Sequence, residues 1–229
     1  MKIKMKINLF ISSVISALTL TSLLTYGPSV FLPQVWALNI VGDNNDNNIN
    51  GSPQADSIWG AGGNDKINGK GTGDSLYGED DNDKIKGGGG IDHINGGIGN
   101  DNLQGDKGND VIDGWSGNDK IKGNAGSDSL WGLSGIDNIQ GGGGVDYIYG
   151  ESDNDKLDGG GSGDWVYGYG GEDEIKGKGG NDLLFGGNGN DKLTGGSGAD
   201  EFNCGAGSDT ILDYDSSEGD TKTPDCEVF

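Results

Sequence analysis

The chain has 229 residues, 49 of them glycine, with 31% apolar residues and a formal charge of −22. So little hydrophobicity beside so much net charge excludes an ordinary globular core and, taken alone, describes a disordered chain. The same acidity argues against nucleic acid or an anionic membrane as a partner and in favour of multivalent cations.

The first forty residues do not share this composition. Lys2, Lys4 and Lys6 precede an apolar run from Leu9 to Leu24, Gly27 and Pro28 break the run, and Val35-Trp36-Ala37 follows. This is the layout of a secretory signal peptide over residues 1–37, cut after Ala37. It predicts a secreted or cell-surface protein whose mature chain has no membrane span. The alternative is an uncleaved N-terminal anchor, because the apolar run is only slightly short of a span.

A period of nine then runs from Gly42 to Leu212 with no insertion or deletion, through nineteen units. Position 1 is Gly except at Cys204, position 6 is Asp except at Asn47, and position 8 is always Ile, Leu, Val or Phe. Position 4 is Gly in thirteen units; Asn45, Gln54, Thr72, Asp81, Asp153 and Ser162 replace it elsewhere, where the turns are expected to be strained or empty. Each unit reads as a six-residue turn and a three-residue strand, such as Lys66-Ile67-Asn68, with one side chain inward and two outward. No such strand is stable alone. Stacked copies form parallel sheets whose only core is the column of position-8 side chains, so the fold class is all-β.

A second period lies over the first. Position 9 of alternate units holds Trp59, Tyr77, Asn95, Asp113, Trp131, Tyr149, Tyr167, Phe185 and Asn203. Positions 7 and 9 of the intervening units supply Lys66, Lys84, Lys86, Lys120, Lys122, Lys156, Lys176 and Lys192. Two nonapeptides therefore make one 18-residue turn, with one outer face aromatic and the opposite one rich in lysine. Residues 51–122 also resemble 123–194, as a duplicated block would.

Stacking brings the position-6 aspartates into columns. These are Asp56, Asp65, Asp74, Asp83, Asp92, Asp101, Asp110, Asp119, Asp128, Asp137, Asp146, Asp155, Asp164, Asp173, Asp182, Asp191, Asp200 and Asp209. Rungs of a parallel sheet lie roughly 4.8 Å apart, so adjacent carboxylates repel unless cations lie between them. Carboxylate oxygens and the carbonyls exposed by glycine turns suit several Ca²⁺ ions better than Zn²⁺ or the stricter octahedron of Mg²⁺. Asp80, Asp81, Glu151 and Asp153 are either added ligands or solvated charges.

"GGIGNDNLQ" at 96–104, "GGGGVDYIY" at 141–149 and "GGNGNDKLT" at 186–194 match the pattern GGxGxDxUx in full. The chain thus resembles the repeat-in-toxin, or haemolysin-type, calcium-binding nonapeptide family over residues 42–212. The resemblance implies a right-handed parallel β-roll (a β-solenoid), with each Ca²⁺ between the turns of units i and i+2, at most seventeen sites. Family toxins carry a large effector domain and no cleaved signal. This chain reads the other way, so toxin activity is not implied.

Residues 213–229 are expected to cap the roll, since solenoid ends need covering. A disulfide between Cys204 and Cys226 would tie the cap down, with Tyr214, Val228 and Phe229 over the exposed core. Asp213, Asp215 and Asp220 are either ligands of a terminal ion or solvated acids. Nothing marks an enzyme: His93, the one histidine, falls at an outward position, and no phosphate-binding loop is present. The reading is calcium binding that folds the exported chain into a rigid rod, a structural or adhesive surface component touching glycans or cells through its aromatic face. The alternative is a non-catalytic accessory module of a polysaccharide-active enzyme system.

Overall fold

A computed structural model describes residues 37–228; the expected leader, all but its last residue, and the capping Phe229 fall outside the described residues. Every strand is parallel to its neighbours. The strands divide into two eleven-stranded sheets, and successive strands along the chain alternate between them. Partners in a sheet are 18 residues apart, as in Ile58 with Leu76 and Ile67 with Ile85. Two nonapeptides per turn of a parallel β-roll is thus the observed architecture. The strands carrying Trp59 through Asn203 form one sheet, here the aromatic sheet, and those carrying Lys66 through Lys192 form the lysine sheet.

The strands are longer than three residues. Most span six, as in Ser75–Asp80 and Lys120–Ala125, because pairing continues past position 9 into positions 1 to 3 of the next unit. Leu133 pairs with Glu151 and Ser134 with Ser152, for example. The chain turns its corner inside this paired segment, where position 2 is left-handed: φ is +80° at Glu79, +82° at Trp115 and +77° at Leu133. Side chains other than glycine bear a steric cost there of about 1–2 kcal/mol each, so in-register stacking overrides local preference. At position 4, Asp81, Asp153 and Ser162 are also left-handed, at φ +75°, +77° and +87°. Asn45, Gln54 and Thr72 are not among the left-handed residues, so the strain expected of them falls on only half of the six exceptions.

The core is one side chain wide. Every position-8 residue from Ile49 to Ile211 is buried, 8% exposed at most, because only the middle residue of each triplet points inward. Beyond the repeats the register loosens: Glu201 pairs with Thr221 and Thr210 with Glu227, so the capping strands close both sheets at offsets other than 18. Cys204 and Cys226 are joined by a disulfide with Cα atoms 5.3 Å apart, and both lie in the core. Tyr214 packs beside it, its ring 6.4 Å from that of Phe202. Val228 is 45% exposed and does not cover the core, contrary to expectation, because the disulfide and Tyr214 already occupy that end.

Position 1 has a steric reason to be glycine. A Cβ on Gly132 would lie 2.2 Å from Asp137 Oδ2, and one on Gly78 would lie 2.2 Å from Asp83 Oδ2. At position 3 of a later unit there is room: a Cβ on Gly161 meets nothing closer than 3.8 Å. Gly132→Ala is therefore expected to cost at least about 2 kcal/mol by overpacking, and Gly161→Ala under about 0.5 kcal/mol. Thermal unfolding in saturating calcium measures both; equal losses would contradict the steric argument.

Candidate metal centre

Each position-6 aspartate ends a turn and enters a strand, so the roll sets the carboxylates in two columns, one along each edge. Within a column they are linked. The backbone N–H of Asp56 donates to Asp74 Oδ1 at 2.7 Å, that of Asp65 to Asp83 Oδ1 at 2.7 Å, and that of Asp119 to Asp137 Oδ1 at 2.7 Å. The bond recurs up both columns to Asp191 with Asp209, at 2.9 Å. At the start, Asn47 N–H donates to Asp65 Oδ1, so the one unit lacking the aspartate still joins the ladder through its backbone. At the end, Asp200 N–H donates to Asp220 Oδ1 at 3.0 Å, two residues late. Asp220 was recognisable only as one of three tail acids, because the extra two residues take it out of the nine-residue frame.

The second oxygen is different. Oδ2 is buried and has no hydrogen-bond partner in all of these aspartates from Asp65 to Asp209. It points at the α-carbon of the position-1 glycine of its own unit. Asp56 is the exception: its Oδ2 accepts the Ser52 N–H at 2.5 Å and its Oδ1 accepts the Ser52 hydroxyl at 3.1 Å. Burial pushes up the carboxyls from Asp65 to Asp200 against the pull of the donated N–H, and in most of them neighbouring acids add to the rise. Asp83, Asp119 and Asp146 reach about 7, Asp101 and Asp137 about 6, and Asp155 about 8.

Main-chain oxygens lie beside both carboxylate oxygens: a Cβ on Gly78, at position 1, would meet Asp83 Oδ2 at 2.2 Å and the Gly96 carbonyl oxygen at 2.4 Å. A Cβ on Gly108, at position 4, would meet the Gly90 carbonyl oxygen at 1.5 Å and Asp110 Oδ1 at 3.2 Å. The same pair recurs at Gly207, with Gly189 O at 1.5 Å and Asp209 Oδ1 at 3.2 Å. Among the described residues, no three acidic, histidine or cysteine side chains converge on one point. A cation held here must complete its shell with backbone carbonyls, and an all-oxygen, adaptable set of that kind fits Ca²⁺.

Around both columns the turns carry side-chain-to-backbone bonds that the sequence reading missed. In one, Ser127 N–H donates to Asn109 Oδ1 at 2.9 Å and Ala199 N–H to Asn181 Oδ1 at 3.0 Å. In the other the series is longer. Asn100 N–H donates to Asn82 Oδ1 at 2.8 Å, Asn118 N–H to Asn100 Oδ1 at 2.7 Å and Glu172 N–H to Asn154 Oδ1 at 2.7 Å. Its signal is asparagine at position 5 of alternate units, at 64, 82, 100, 118, 154 and 190. The acids at position 4 are engaged too: Asp81 Oδ2 accepts the Gly63 N–H at 3.1 Å and Asp153 Oδ2 that of Gly135 at 3.2 Å. In the tail, Asp213 accepts the N–H groups of Gly195 and Gly196 at 2.9 and 2.8 Å.

A family model described as the RTX calcium-binding nonapeptide repeat matches residues 41–76, 72–94, 95–130, 122–157, 131–166, 152–184 and 176–211. The chain belongs to this family. Membership of the RTX repeats implies calcium binding, and the β-roll is their structural, calcium-binding element rather than a catalytic one. Comparison with curated proteins gave no match. No helix among the described residues is long and apolar enough to cross a membrane.

The aromatic face splits into two parts. Trp131, Tyr149, Tyr167 and Phe185 stack on one another at 5.2, 5.2 and 4.5 Å between ring centroids, so their faces are covered by each other. Beside the stack, Tyr147 and Trp165 at position 7, with Trp115 and Tyr169 at position 2, are 38–54% exposed. Trp115 and Tyr169 escaped the sequence reading because position 2 was taken as part of a turn.

The raised carboxyls set a pH dependence. Their unfolded counterparts titrate near 3.8, so the metal-free roll is favoured at low pH, and that advantage is lost as pH rises through the folded values of about 6 to 8. In calcium-free buffer, the β signal in circular dichroism is expected to be stronger at pH 5 than at pH 8, with calcium removing the difference. Equal calcium-free signals would show that the aspartate columns do not govern folding.

Proposed function

We propose that this protein is an exported calcium-dependent rod, a structural or adhesive component of the cell surface or its surroundings. In this reading residues 1–37 are a signal peptide, 38–212 the roll and 213–229 its cap. The observation that carries it is the run of buried, unpartnered Oδ2 atoms from Asp65 to Asp209 in register along both edges. These oxygens and their Oδ1 partners, with the position-1 and position-4 carbonyls beside them, are the ligands we assign to Ca²⁺; Asp56, already satisfied by Ser52, is the weakest member of the predicted set. Bound Ca²⁺ supplies the positive charge that the columns lack. The chain itself contributes the rest: glycines bring the turns close, N–H donors hold Oδ1, and the position-8 column joins the sheets once the turns stop repelling one another.

The exposed aromatics Tyr147, Trp165, Trp115 and Tyr169 are the surface through which adhesion to glycans or cells would occur, since the stacked position-9 rings have no free faces.

The chain is expected to be largely disordered in chelator and to gain its β signal cooperatively on calcium addition. Replacing Asp119, Asp137 and Asp155, three neighbours in one column, with Ala should raise the calcium midpoint several-fold and reduce cooperativity in calorimetric titration. A compact, thermally resistant protein in chelator would overturn the proposal. For adhesion, Tyr147→Ser with Trp165→Ser should abolish retention on cells while leaving the calcium transition in place; undiminished retention would remove the aromatic face from the account.

A further inference from the structure

We infer that the outer face of the lysine sheet is a binding surface for a linear anionic polysaccharide. Of the twelve lysines after residue 37, ten lie at positions 7, 9 or 2 of the lysine sheet, and the chain has no arginine. A protein with a formal charge of −22 thus concentrates nearly all its cations on one face. Glu174, Asp158 and Asp106 offset them there, with Glu227 on the terminal capping strand.

The cations are also regularly spaced. Lys84, Lys120, Lys156 and Lys192 share one column at every second rung; Asn102, Asn138 and Glu174 occupy the rungs between them, and Lys66 adjoins Lys84 directly. All four of these lysines are exposed, and among the described residues none has a carboxylate within ion-pair distance. The two ion pairs present are Lys176 with Glu174 and Lys178 with Asp158. Direct succession of lysines would be repulsive. From Lys84 to Lys192 a rung without a lysine, amide at Asn102 and Asn138 and carboxylate at Glu174, relieves that repulsion and sets a cation repeat of roughly 10 Å, two rungs.

Beside this column the face is notched. A cavity of about 280 Å³ is lined by Lys122, Asn124, Gln140, Gly142, Asp158 and Lys178. It exists because position 2 is glycine at Gly142 and Gly160, between larger residues at Asn124 and Lys178. Lys122 at one end can meet an anionic group and the amides along the wall a sugar's hydroxyls, while at the other end Lys178 is paired with Asp158.

Charge and spacing select the occupant. A second copy of this chain would have to offer its exposed acidic turns, but Glu79–Asp81 and Glu151–Asp153 are four rungs apart rather than two. An extended 1,4-linked polysaccharide presents like groups on one side at every second sugar, close to the two-rung repeat. Isolated ammonium groups suit such spaced single charges, whereas bidentate phosphate recognition draws on arginine. The inference needs the calcium-folded roll but neither export nor the aromatic face.

The test uses the purified chain in saturating calcium, with binding to two 1,4-linked polyanions, polygalacturonate and cellulose sulfate, read by surface plasmon resonance. Fully methyl-esterified polygalacturonate and duplex DNA serve as neutral and phosphate probes. Tight binding to one or both anionic glycans, weakening as salt rises, is expected; which one binds distinguishes carboxylate from sulfate. Replacing Lys84, Lys120, Lys156 and Lys192 together with Ser should weaken that binding at least tenfold, with the calcium-bound circular dichroism spectrum retained. A second variant, Lys84→Asn with Asn102→Lys, keeps the net charge and shifts one cation by a rung; a several-fold loss is expected. Failure of the wild type to bind either anionic glycan, equal binding of the neutral probe or DNA, or unchanged binding by the two-residue variant would overturn the proposal. A quadruple variant that binds as the wild type does would assign attachment to calcium bridging and overturn it as well.

Discussion

One carboxylate oxygen of each repeat is held by the amide of the rung below it, and its twin is shut away from water with nothing to bond. The first contact makes the stack possible, because it ties successive turns at the same atom and fixes the 18-residue offset along both edges. The second makes the stack conditional. A buried ionised oxygen left without a partner costs about 1–3 kcal/mol or more, comparable with the roughly 1.5–3 kcal/mol gained by burying one Ile or Leu. Each nonapeptide from Asp65 to Asp209 supplies one of each. The apolar column therefore cannot carry the roll past the electrostatic cost of its own edges, which is the physical reason a chain of this composition needs a divalent ion.

The same arrangement explains the glycine content. Position 1 is glycine because Oδ2 occupies the place of a Cβ, and position 4 because a carbonyl from the neighbouring rung does. Position 2 shows the same close approach, with Glu79 O 2.0 Å from a Cβ on Gly97 and Asn124 O 2.2 Å from one on Gly142, yet bulky residues such as Trp115, Leu133 and Tyr169 sit there in left-handed backbone. The glycines thus mark close approaches between rungs more than flexibility within them.

Much of this was readable beforehand. The unbroken nonapeptide identified the core column from Ile49 to Ile211, and the alternation of Trp131, Tyr149 and Tyr167 with the lysines separated the two sheets. What escaped was whatever depends on atoms from another rung. Strand extension through positions 1 to 3 is set by inter-rung pairing, so the sequence around Glu79 or Leu133 shows only turn-like residues. The asparagine ladder bonds backbone to side chain one turn away, and Asp220 joins its column only after a two-residue excess. Ring stacking likewise emerges only when equivalent positions lie in contact, and it changes the meaning of the aromatic stripe: most of the stripe faces itself.

The repeat the eye sees is nine residues, but the repeat the surface obeys is eighteen. Loss or gain of a single nonapeptide would leave every core and turn position filled as before. Downstream of the change, however, each remaining strand would join the other sheet, and rings and ammonium groups would exchange sides of the molecule partway along. Length can therefore vary without scrambling the exterior only in even steps. The doubled block at 51–122 and 123–194, each eight units long, satisfies that parity.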